Sequence, residues 1–114
     1  MPRYVLTVDL RDDPAAIAEY KEHHRRVWPE VLRSLRQIGV VEMDIYLLGR
    51  RLTMVMDVVD GFDLKESFAI HAASDPRCRE WEELMKTFQV PPPMAGPGDM
   101  WARMEPVFQL NQAP

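Results

Sequence analysis

The densest chemistry in this sequence lies in Tyr20-Lys21-Glu22-His23-His24, followed at once by Trp28-Pro29-Glu30. Tyr20 and His24 are four residues apart, so on a helix both project from one face. That face also carries the apolar stripe, which sends His24 inward or into a pocket, whereas His23 is rotated by about 100°. A phenol one turn before an imidazole and an indole one turn after it make an aromatic-walled pocket with one group titrating near neutrality. Such a pocket suits proton transfer to and from a small polar molecule. An inward histidine also has a plain role as a hydrogen-bonded core residue, and the spacing alone does not choose between the two.

Other chemistries are weaker here. Glu19 and His23 have the spacing of a helical ligand pair and His71 stands elsewhere, but no second histidine joins them at metal spacing, so no metal is expected. Cys78 is the only cysteine and lies on a core stripe, which makes it a small buried side chain and not a nucleophile. The five glycines are scattered at turns and form no phosphate loop. Trp28, Trp81 and Trp101 read equally as core packing and as rings for stacking on the apolar face of a sugar.

The elements that position these residues follow from periodicity. Residues 3–10 alternate as a half-buried strand. Asp12-Asp13-Pro14 starts a helix expected over 13–27, with a kink at Trp28-Pro29, a second segment to Ile38 and Gly39 closing it. Alternation over 41–48 and 51–59, linked by Gly49-Arg50, predicts a hairpin. Leu64, Phe68 and Ala72 mark a third helical segment. Ser74-Asp75-Pro76 opens a fourth, with Cys78, Trp81, Leu84, Met85 and Phe88 on its stripe. After a proline-rich loop, 100–110 reads as a last strand with Pro106 at an edge or bulge.

That order predicts one α+β domain over 1–114, a ferredoxin-like split βαβ arrangement (βαββαβ with an extra helix) with an antiparallel sheet. Helices covering Leu6, Val8, Met43, Ile45, Met54 and Met56 leave Asp9, Glu42, Asp44, Tyr46, Thr53 and Asp57 on the other face. That polar face is either solvated or closed by a second copy of the chain.

Composition agrees with one globular domain: 114 residues, 46% hydrophobic and 28% charged. Fourteen Lys and Arg against 18 Asp and Glu give a net charge of −4 with no basic stripe, which argues against a nucleic-acid or membrane partner. No apolar run is long enough to span a bilayer, no signal-peptide pattern precedes the first strand, and the lone cysteine fits a reducing cytoplasm.

Tyr20-x-x-x-His24-x-x-x-Trp28-Pro29-Glu30, with Asp44-Ile45-Tyr46-Leu47, Trp81 and Met104-Glu105-Pro106-Val107-Phe108, resembles the L-rhamnose mutarotase family from Tyr4 to Leu110. The resemblance implies a small cytoplasmic, homodimeric α/β-barrel protein that interconverts sugar anomers without a cofactor. It further implies His24 as the catalytic residue and Tyr20 as a substrate contact. A stacking tryptophan pair in that family falls on Trp81 and Glu82. The carboxylate there replaces an apolar wall with a hydrogen-bond acceptor, which bears on the choice between L-rhamnose and L-fucose. Trp28, Asp44 and Tyr46 complete the expected substrate-binding set. Two other functions fit the same architecture: a dimeric α/β-barrel monooxygenase and a non-catalytic sugar-binding domain.

Overall fold

The computed structural model describes residues 1–112. Its order is β1 (Arg3–Leu10), α1 (Pro14–His23), α2 (Pro29–Gln37), β2 (Val40–Leu48), β3 (Arg51–Val58), α3 (Leu64–Ser74), α4 (Pro76–Lys86), β4 (Gln89–Val90) and β5 (Ala102–Arg103). A short 3-10 turn, Leu110–Gln112, follows. The sheet is antiparallel in the order β2-β3-β1-β4, the ferredoxin-like arrangement, with β5 also on β1.

Local chemistry explains most boundaries. Asp13 accepts a hydrogen bond from the Ala15 amide at 3.0 Å and Asp75 one from the Arg77 amide at 2.8 Å. In each case the next residue is a proline at the first helical position, where its missing N–H is no loss. Leu48 pairs with Arg51 across Gly49-Arg50. Gly49 has φ +62°, while among the described residues no non-glycine residue has positive φ. This combination is the type II′ hairpin, whose twist matches that of the strands.

The structure departs from the periodicity at two places. The first helix stops at His23 instead of continuing to residue 27, and five residues separate it from α2. Pro29 forces the preceding Trp28 out of the helical region, to ψ 138°, so the break falls before the proline and not at it. The long last strand is also replaced by two short pieces. Gln89–Val90 pairs with β1 at Asp9 and Leu10, and Ala102–Arg103 pairs with it at Leu6 and Thr7. Pro91-Pro92-Pro93 lacks donors to continue β4, and the chain leaves the sheet before Pro106.

Alternation on the strands sorts the two sheet faces. Leu6, Val8, Leu10, Leu52, Met54, Met56 and Val58 are buried beneath the helices. Arg3, Glu42, Asp44 and Tyr46 are exposed on the open face, where Arg3 pairs with Asp57 and Arg51 with Asp9, both at 2.8 Å. The apolar core divides into a part around β1, α1 and α4 and a part around β3 and α3; Leu35, Ile45 and Trp101 pack against both.

Candidate active site

The end of α1 builds the site. His24 is the C-cap, and its backbone N–H lies 3.3 Å from the Tyr20 carbonyl oxygen. Its side chain turns back to the same oxygen, with Nδ1 at 2.9 Å. A carbonyl only accepts, so Nδ1 must hold a proton in this bond. In the neutral ring Nε2 is then the basic nitrogen, and among the described residues it has no protein partner. The arrangement presents one oriented base at a helix end.

Four other rings gather around this imidazole. Tyr20 lies 4.3 Å from His24 between centroids, and Trp81 lies edge-on at 5.4 Å. Trp28 meets Trp81 at 5.1 Å, and Phe88 meets Tyr20 edge-on at 6.0 Å. Thus His24, Tyr20, Trp28 and Trp81, separated by up to 61 positions, are brought together. Trp28 has a second engagement: the Arg77 guanidinium sits 3.7 Å over its ring and also reaches Glu30 at 3.6 Å. One face of Trp28 is therefore occupied by a cation. Trp81 is only 8% exposed, with three neighbouring rings packed on it.

Burial sets the electrostatics. The phenol of Tyr20, 3% exposed, is pushed up to about 12 by desolvation, with the Gln89 side chain pulling the other way. It is a neutral hydrogen-bonding group at physiological pH, not a base. Burial also lowers the pKa of His24; the Tyr20 carbonyl opposes this and the nearby His23 adds to it. A histidine held below its ordinary value is neutral near pH 7, the form that can accept a proton.

The remaining expected residues lie elsewhere on the chain. Asp44 and Tyr46 project from the open face of β2, Tyr46 being 63% exposed, with the sheet between them and His24. Glu82 faces the α3 side of α4, where its charge acts on His71 and its carboxylate lies 3.4 Å from Lys86. Within one chain these three do not join the His24 cluster.

His71 belongs to a separate polar seam between α2, α3 and α4. Its Nδ1 is 2.7 Å from Ser34 Oγ, which is 2.9 Å from Ser74 Oγ, and Ser74 donates to the His71 carbonyl at 2.8 Å. Since Ser74 uses its one proton on that carbonyl, Ser34 donates to Ser74 and His71 Nδ1 donates to Ser34. Cys78, fully buried beside this seam, contacts the Glu30 carbonyl at 3.6 Å.

Sequence reasoning missed His23 and Phe88 as site neighbours. His23 packs 5.7 Å from Phe88 and 6.3 Å from Trp81. The signal was available, because Tyr20 and His23 are three apart and a spacing of three shares a helix face as well as four does. The position of Phe88 and Gln89 required β4, which no local pattern announced.

The fold and this cluster define a ferredoxin-like α+β domain with a partly buried histidine set among aromatic rings. The L-rhamnose mutarotase family matches residues 3–110, and the chain belongs to that family of sugar-anomer isomerases. Over 115 residues it is 42% identical to an L-fucose mutarotase of Xanthomonas campestris pv. campestris, covering 99% of this chain and 91% of that one. An L-rhamnose mutarotase of Acidiphilium cryptum is 40% identical over 35 residues, 31% of this chain and 34% of its own. Among solved structures, an L-rhamnose mutarotase from Formosa agariphila superposes with a TM-score of 0.69 at 21% identity, covering 96% of this chain and 98% of the other. The tetracenomycin F2 cyclase of Streptomyces glaucescens superposes at 0.59 with 18% identity and complete coverage of both chains. These two structural likenesses show the fold alone.

Proposed function

We propose that this protein exchanges the α and β anomers of a 6-deoxy-L-hexose, with L-fucose ahead of L-rhamnose, and that His24 carries the proton transfer. The observation that carries the mechanism is the 2.9 Å bond from His24 Nδ1 to the Tyr20 carbonyl, which leaves Nε2 as the base. The sugar preference draws on the near full-length similarity to an L-fucose mutarotase.

The reaction needs little more than such a group. Nε2 takes the proton from the anomeric hydroxyl, the bond from the anomeric carbon to the ring oxygen breaks, and the imidazolium so formed, or a solvent water, delivers a proton to the ring oxygen. The free aldehyde rotates about its carbon–carbon bond and recloses on the other face, returning the protons in reverse order. General acid–base help of this kind is worth roughly 10²- to 10⁴-fold. Tyr20 acts as a neutral hydrogen-bonding partner, because its phenol stays protonated to about pH 12. No cofactor enters this scheme.

A homodimer in the cytoplasm completes the proposal. The open face of the sheet supports it: Tyr46 and Leu48 are 63% and 85% exposed there. A second copy is the occupant that would cover this face and bring Asp44 and Tyr46 into a closed cavity.

The test is exchange NMR on equilibrated L-fucose and L-rhamnose, following the anomeric protons with and without protein. Faster exchange that disappears in His24→Ala supports the proposal, and the relative rates rank the sugars. Unchanged exchange for both sugars overturns it.

A further inference from the structure

Trp28 stands in the link between α1 and α2 and opens α2 without a side-chain hydrogen bond to that helix. Its carbonyl accepts from the Val31 and Leu32 amides at 3.0 and 3.2 Å, which fixes the backbone and leaves the plane of the indole to be set by packing. Two side chains of α4 bracket that ring. The Arg77 guanidinium lies 3.7 Å over its centroid, and Trp81 meets it edge-on at 5.1 Å. Arg77 and Trp81 are four residues apart, so one face of α4 carries both. The guanidinium is itself held, with Nε 3.6 Å from Glu30 and Nη1 3.0 Å from Glu80. Trp81 in turn meets His24 edge-on at 5.4 Å, so two rings stand between the cation and the imidazole.

We infer that Arg77 is a positioning residue for sugar binding: stacked on Trp28 and tied to Glu30 and Glu80, it fixes the plane of that indole against Trp81 and so the shape of the aromatic wall beside His24. This rests on the mutarotase reading, with Trp28 as a substrate contact. A cation over one face of an indole leaves a sugar only the opposite face for stacking, so the guanidinium also selects the side that is offered. A flat guanidinium can stack on a ring in this way, whereas an ammonium is a compact, strongly hydrated charge. The ion pairs by themselves are a weaker reason for the residue, because the Arg77 side chain is 44% exposed and pairs of that kind contribute little. With two rings between Arg77 and His24, the effect falls on how the sugar is held and not on the proton transfer.

The experiment measures KM and kcat for L-fucose anomer exchange by NMR in wild type, Arg77→Ala, Arg77→Lys, Trp28→Leu and the double variant. The Trp28 indole N–H resonance, which needs no sugar, is followed beside them. Arg77→Ala should raise KM by about two- to fivefold, the size of one cation–π contact at an exposed site, with kcat much less affected, and should shift the indole resonance. Arg77→Lys keeps the charge without the flat stack and should recover only part of the KM. In the Trp28→Leu background, Arg77→Ala should add nothing, because the ring it positions is gone. An arginine that only ties α2 to α4 would lower the unfolding midpoint of Arg77→Ala and leave KM unchanged. That result, or an equal rise in KM with and without the Trp28 ring, overturns the inference. Absence of accelerated exchange in wild type, with the indole resonance still shifted by Arg77→Ala, would instead count against the mutarotase reading.

Discussion

The Tyr20 carbonyl receives both the backbone N–H and the Nδ1–H of His24, at 3.3 and 2.9 Å, so one oxygen ends the helix and sets the tautomer of the base. The proposed proton transfer would thus use the same contact that closes the helix. Replacing His24 with alanine should remove the acceleration of anomer exchange, a loss of roughly 10²- to 10⁴-fold in rate. Since the side chain caps only a carbonyl that also has a backbone donor, folding should survive; circular dichroism beside the NMR assay checks both.

Stability should fall as the medium becomes acidic. Burial lowers the pKa of His24, and burial likewise lowers that of His71, against a smaller upward pull from Glu82. For a histidine depressed in the folded state, the unfolded chain binds the proton first, so stability rises with pH through this range. The contribution is complete above the ordinary value of 6.5 and is lost as pH falls below it through the two folded-state values. Melting temperatures from pH 7.5 to 4.5 should trace this decline, and the slope should flatten in a His71→Gln variant.

Tyr20 separates ring from hydroxyl. Tyr20→Phe keeps the packing against Phe88 and His24 and deletes one buried polar group, at a cost of about 0.5–1.5 kcal/mol. Tyr20→Ala opens a large hole in the core and should cost about 3–5 kcal/mol. Urea unfolding of both variants measures the difference. A drop in exchange rate for Tyr20→Phe would mark the hydroxyl as a substrate contact.

In the polar seam, Ser34→Ala would leave the His71 Nδ1–H without an acceptor in a buried site. The expected loss is about 1–3 kcal/mol, the penalty for an unsatisfied buried donor, with little change in anomer exchange. Chemical denaturation and the NMR assay together check that the seam supports the helix layer and not the reaction.

The proposed dimer should respond to charge on the open sheet face. Light scattering is expected to give about twice the 13.3 kDa chain mass for wild type. Leu48→Asp combined with Tyr46→Asp should move it toward the monomer, because a buried carboxylate without a partner opposes association. A wild type at 13.3 kDa would reject the shared cavity.

Sequence by itself determined the elements whose causes are local. The Asp13-Pro14 and Asp75-Pro76 pairs start helices, Gly49-Arg50 makes a two-residue hairpin, and alternation assigns each strand residue to a face. The same locality put Tyr20 and His24 on one helical stripe. What only the tertiary structure decided depends on contacts between elements. Periodicity tells which face of its own element a residue occupies, not which foreign side chain meets it. Hence Arg77 over Trp28 and the Phe88–His23 contact were not legible in advance, whereas alternation had already put Asp44 and Tyr46 on the face away from the helices. The edge of β1 makes the same point. Two dipeptides, Gln89–Val90 and Ala102–Arg103, fill it, and segments that short carry no periodic signal. Their place is set by the unpaired backbone groups of a strand more than 75 residues earlier, which only the folded chain brings within reach.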